Sequence, residues 1–188
     1  MSEPIGTSIK IGGNLPDSLV EEFMGKLTDE ISESTGPDTA KGLRATAGKC
    51  LGPIKWYGVA NYGEVDNLKA FCKHHDLSFI HHSEAKYEYN ASIDFWVPGM
   101  KEIEVLNSTQ DGDVMISATA VRPLCDFLLD YAQNGPKIFP LYINVSGMKK
   151  IAEAGLKKPA KALELVRKRI QTLLPVEPTL PPFIITKG

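Results

Sequence analysis

The chain has 188 residues, is 43% hydrophobic and carries a formal net charge of -2 at pH 7. That length suits one well-filled core rather than two domains of ordinary size, and the near-neutral charge excludes a global attraction to nucleic acid or to an anionic membrane, so any such contact has to be local. Cys50, Cys72 and Cys125 form no C-x-x-C pair, which argues against a disulfide framework or zinc ribbon and for a reduced, cytoplasmic setting.

The first residues show no basic segment leading into an apolar run, and no stretch is continuously apolar over about 18 residues, so neither export nor membrane spanning is expected. Residues 7–11 predict a short strand, broken by Gly12, Gly13 and Asn14. Leu19, Val20, Phe23, Met24, Leu27 and Ile31 then set a helical stripe, with Pro16 at its start and acidic residues on its outer side. Residues 34–53 are rich in glycine, proline and small polar side chains and read as a long surface loop. Within it, GLRATAGKC resembles a phosphate-binding loop only superficially: the glycine spacing is one residue too long, and Cys50 stands where a hydroxyl should reach magnesium. Residues 55–62 predict a strand, 64–75 a helix and 77–82 a returning strand.

Tyr87, Tyr89, Ala91, Ile93, Phe95 and Val97 alternate with Glu88, Asn90, Ser92, Asp94 and Trp96, the period of a strand with one buried face. The expectation is that the tyrosines point inward. Glu84, Lys86, Glu88, Asn90, Asp94 and Trp96 would then form a polar, solvent-facing binding surface with an aromatic end. Next to it, His74, His75, His81 and His82 cluster in sequence. Adjacent residues on a strand point to opposite faces, so His81 and His82 do not readily share an ion, and no zinc-ligand spacing is present. No metal or cofactor site and no catalytic residue is therefore assigned. A small hydrolase using His81 or His82 with Glu84 or Asp94, with or without a metal, is kept as an alternative.

The run LKAFCKHHDLSFIHHSEAKYEYNASIDFWVPGM, followed by QDGD, resembles small uncharacterised bacterial proteins, some carried on phages or plasmids. The resemblance implies a bacterial, mobile-element origin and brings no activity with it.

Beyond this strand, residues 102–105 and 114–116 predict a hairpin around Gln110, Asp111 and Gly112. Leu124, Phe127, Leu128 and Tyr131 predict a helix face, and residues 138–145 a further strand. Gly155 and Pro159 divide a C-terminal helical region into two pieces. There Lys149, Lys150, Lys157, Lys158, Lys161, Arg167, Lys168 and Arg169 face only Glu153 and Glu164, so the rest of the chain has to be acidic and the molecule dipolar. Lys161, Arg167, Lys168 and Arg169 are candidate binding residues for phosphates or an acidic partner. Pro175, Pro178 and Pro181 recur every third residue before Phe183, Ile184 and Ile185, a stiff spacer ending in an apolar segment that would dock on a sheet, by preference that of a second copy.

The expected architecture is a single α+β domain over residues 1–174, with a mixed, largely antiparallel sheet, three to four helices mainly on one face, and a proline-rich tail over 175–188. The expected function is non-catalytic binding of a macromolecular partner, most directly a protein, with a homodimer formed through the tail. Nucleic-acid binding by the basic helix is the alternative.

Overall fold

Alternating side chains along the first thirteen-residue strand decide how the rest of the sheet assembles. In the computed structural model, which describes residues 3–86, 90–109, 115–116, 118–173 and 177–187, this strand is β1 (Pro4–Pro16). Ile5, Thr7, Ile9, Ile11 and Leu15 are all buried. β1 pairs antiparallel with β3 (Ile54–Asn61) on one side and with β4 (Ser78–Ser83) on the other. β2 (Ser32–Thr35) extends the sheet beyond β3, and β5 (Ala91–Trp96) and β6 (Glu104–Ser108) extend it beyond β4. The spatial order is β2-β3-β1-β4-β5-β6.

The chain divides into two compact units, Met1–Met115 with Glu177–Gly188, and Ile116–Val176. Each has its own apolar core, in place of the single core expected over 1–174. The α+β class and the largely antiparallel sheet are as expected, whereas helices α1–α7 outnumber the three or four foreseen.

In the first unit, α1 (Val20–Glu30) buries Val20, Phe23, Met24 and Leu27, the stripe read from sequence. α3 (Asp66–His74) buries Leu68, Phe71 and Cys72, and both helices share one core with Ile9, Ile11, Trp56, Phe79 and Trp96. The stretch expected as a long loop contains β2 and α2 (Ala40–Ala47). Two local forces make that helix: the Thr39 hydroxyl accepts the Gly42 amide at 3.1 Å as an N-cap, and Leu43 is fully buried. Arg44 then ties it to α1 and the turn before it, through Asp17 at 2.7 Å and Glu21 at 3.2 Å.

The tail also differs from expectation. β7 (Phe183–Thr186) pairs parallel with Gly13–Pro16 of its own β1, so the apolar ending docks in cis rather than on a second copy. Gly12 and Gly13 do not end β1. They make room for the returning chain: a Cβ on Gly12 would collide with the Pro181 carbonyl, Gly13 has φ of 121°, and its amide donates to the Pro182 carbonyl at 3.0 Å. Phe183 then packs against Phe23 and Trp56.

The second unit is helical. α4 (Ala118–Asn134) buries Leu124 and Phe127. The region read as a strand, 138–145, is instead a 3-10 turn (Gly135–Ile138) running into α5 (Phe139–Tyr142). Ile138, Phe139 and Tyr142 repeat at helical spacing, and the two rings pack on Phe127 at 6.0 and 5.1 Å. That aromatic cluster overrides the β-branched character of the segment. α6 (Lys149–Lys157) and α7 (Pro159–Leu173) follow, joined by the single extended residue Lys158. The hairpin expected around 110–112, with its strand to 116, and the inward tyrosines Tyr87 and Tyr89 lie outside the described residues, apart from residues 115 and 116. Among the described residues, no helix is long and apolar enough to cross a membrane.

Candidate functional site

The polar strand face is not solvent-facing. Asp94 and Trp96 are only 7% and 4% exposed, because their side of β5 is the side α3 covers: Trp96 belongs to the main core, and its indole N–H donates to the Met100 carbonyl at 3.0 Å. The opposite side of β5, with Ile93 and Phe95, packs with Ile80 under Leu180 of the tail. Both faces of β5 are therefore covered, which removes Asp94 and Trp96 from the solvent-facing surface expected over 84–96. Of its other members, Glu84 is exposed and accepts from the Tyr57 hydroxyl at 3.0 Å, Lys86 is half-buried and donates to the Pro4 carbonyl at 2.8 Å, Asn90 is exposed, and Glu88 lies outside the described residues.

What the strand carries instead is a buried polar chain. Thr7 Oγ1 lies 2.7 Å from His81 Nε2, His81 Nδ1 lies 3.3 Å from Asp94 Oδ2, and Lys69 Nζ reaches the same oxygen at 3.0 Å and Asp66 at 2.9 Å. Cross-strand register explains the meeting: Ile9, His81 and Asp94 are successive partners across β1, β4 and β5. Burial alone would raise the Asp94 pKa, but hydrogen bonds from His81 and Lys69 and the lysine charge hold it below the usual carboxylate value. Hydroxyl, imidazole and carboxylate in line resemble a nucleophile and its base. Two facts oppose that use. Thr7 is fully buried and His81 only 1% exposed, and the Thr7 hydroxyl is shared between the imidazole at 2.7 Å and the His82 carbonyl at 3.0 Å, to which it donates. The chain joins α3 to the sheet.

Thr7 and Lys69 were not singled out from sequence. Lys69 offered a signal: it stands four residues after Val65 and one after Leu68, inside an apolar stripe. His74 and His75 sit at the end of α3, with the His75 ring 4.4 Å from that of Phe71. Among the described residues, no group of three His, Cys, Asp or Glu converges as a metal ion requires.

The accessible convergence lies in the helical unit. Residues 116–176 hold ten Lys and Arg against four Asp and Glu, a net of +6, and the rest of the chain holds eleven against nineteen, a net of -8. The dipolar charge read from sequence thus follows the boundary between the units. Because only Lys158 separates α6 from α7, the second helix folds back along the first. A crevice near the start of α6 is lined by Lys149, Lys150, Lys168 and Arg169. A second, sharing Lys150, continues past Lys157, Lys158 and Lys161. All seven side chains are exposed, as is Arg167. Of the two acids nearby, Glu164 is engaged by Lys168 at 2.8 Å, which holds its carboxyl below the usual range, and Glu153 lines the second crevice. Lys161 and Lys168, one candidate at each end, are brought into this row together with Arg169.

No family model, curated protein or solved structure matches this chain.

Proposed function

We propose that this protein binds nucleic acid without catalysing a reaction on it, through the crevice between α6 and α7. The observation that carries the reading is the row of seven exposed cations, with Glu153 the one acid in its lining, from Lys149 and Arg169 at one end to Lys158 and Lys161 at the other, in a unit of net charge +6. The cationic positions cover residues 161–169 of α7, about 12 Å of helix, so the row spans roughly four phosphates of one strand at 3.4 Å each. Lys149 and Lys150 occupy the first turn of α6, where no acid is present. That placement opposes the helix dipole and costs stability unless an anion sits there.

The reading of the protein as a general interaction module retains its basic surface here, while Asp94 and Trp96 of the strand face that favoured a protein partner are buried. The rings of Phe127, Phe139 and Tyr142 pack on one another in the core, so binding rests on phosphate contacts rather than on stacked bases, and it is insensitive to sequence.

Fluorescence anisotropy with a labelled 20-base-pair duplex tests this. With about four phosphates neutralised, log K falls against log salt with a slope of about -4. Changing Lys150, Lys161 and Lys168 to Ala together lowers that slope by about three and weakens binding at least tenfold at low salt. Absence of binding at 50 mM salt, or binding that the triple variant leaves intact, overturns the reading.

A further inference from the structure

The second face of the sheet in the acidic unit gathers positive charge. Lys10 of β1 is paired directly with Lys55 of β3, and Ser8, two residues before, is paired with Tyr57 on one side and His82 on the other. Because side chains alternate along a strand, these five share the face opposite the core formed with α1 and α3. Like charges directly opposed on neighbouring strands repel. Among the described residues, neither ammonium has a carboxylate within 4.0 Å. Lys55 and Tyr57 are exposed, and Lys10 and His82 are half-buried.

Two carboxylates among the described residues approach this cluster, neither of them at a lysine. Glu84 accepts from Tyr57 and lies over Gly6, where any Cβ would collide with it. Glu177, at the start of the returning tail, stands 3.6 Å from His82 Nε2. Burial lowers the His82 pKa, Glu177 opposes this, and Lys10, His81 and Lys55 add to the lowering, so both lysines lie within electrostatic reach of the ring.

We propose that Lys10, Lys55 and His82 form a binding site for a phosphate-class anion, for which the Glu177 carboxylate of the same chain is the internal competitor. The two ammonium groups supply the charge, the imidazole supplies a directed N–H, and the pleat of the three adjacent strands β3, β1 and β4 fixes their spacing. An arriving phosphate relieves the repulsion between the lysines and displaces Glu177 from His82. The site stands apart from the α6–α7 crevice and does not rest on that reading.

The test follows the His82 ring resonances in the full chain by NMR during titration with inorganic phosphate, with sodium chloride at matched ionic strength as control, and in a second arm with a short DNA duplex. A saturable His82 shift with phosphate but not chloride is expected. Glu177→Gln should tighten it about fivefold, as expected for removal of one partly exposed competing carboxylate. Lys55→Gln, at an exposed position, should weaken it by at least a similar factor with the amide spectrum otherwise kept. A shift with the duplex alone assigns the phosphate to a phosphodiester rather than a free ion or monoester. No saturable shift in either arm, or one that Lys55→Gln leaves unchanged, overturns the proposal.

Discussion

Lys69 Nζ and Asp94 Oδ2 meet at 3.0 Å with both side chains 9% exposed, so an ion pair joins the inner face of α3 to the middle of β5. Among the described residues, the second carboxylate oxygen, Asp94 Oδ1, is buried without a hydrogen-bond partner. Asp94 thus depends on hydrogen bonds to a single oxygen, and Lys69 supplies the charged one.

Replacing Lys69 by Met leaves the carboxylate buried beside only His81. Loss of one partner from a buried pair costs about 3–5 kcal/mol, and urea unfolding should show a corresponding fall in midpoint. The double variant Lys69→Met, Asp94→Leu should recover most of that loss, because no charge then remains to be desolvated. A double variant no more stable than the single one contradicts this account.

The depressed Asp94 pKa gives a sign to the pH dependence. A carboxyl whose folded pKa lies below its unfolded value contributes stability that is present above the unfolded value, near 4, and is lost as pH falls through the folded one. Urea midpoints of the native chain and of Asp94→Asn, measured from pH 6 to pH 3, should converge as the pH drops. Parallel curves over that range would show that the native carboxylate contributes nothing through its ionisation.

Phe183 is fully buried, with ring centres of Phe23 and Trp56 at 5.8 and 6.4 Å. Phe183→Ala should destabilise the sheet unit by about 3–5 kcal/mol, read by urea unfolding with Trp fluorescence. Ile184→Ala is the control: Ile184 is exposed on the same strand, and its loss should be nearly silent. Equal effects at the two positions would contradict the cis docking of β7.

Gly155 lies inside α6 and is buried, and a Cβ there would run into the Phe139 ring. Gly155→Ala gains about 1 kcal/mol in helix propensity, but overpacking a filled core costs about 1–3 kcal/mol, so a net loss is expected in thermal unfolding of the helical unit. Gly25→Ala in α1 meets open space and should stabilise. A stabilised Gly155→Ala would mean that α6 can shift away from Phe139.

Strand and helix periodicity made most of the sheet unit legible before any coordinates. The buried stripe of α1, the spans of β3, α3 and β4, and the split between α6 and α7 all follow from local pattern. Several features did not. α2 depends on one capping hydroxyl and one buried leucine inside a glycine-rich stretch. α5 is helical because Phe139 and Tyr142 need Phe127, a residue distant in sequence. The inward side of β5 could not be chosen from alternation, since alternation names two faces and not which of them a helix will cover. Asp94 therefore looked like a surface carboxylate until Lys69 and His81 were placed beside it. The basic row was legible residue by residue, whereas its gathering along one crevice came from the fold-back at Lys158.

The parallel pairing of β7 with β1 has a consequence for biosynthesis. The aromatic centre of the sheet unit stays open until Phe183 arrives, so during translation residues 1–115 wait, incompletely sealed, while the intervening 61 helical-unit residues are made. That unit draws its contacts from neighbours in sequence and can finish first, reversing the usual order in which the earlier-made portion of a chain folds before the later one.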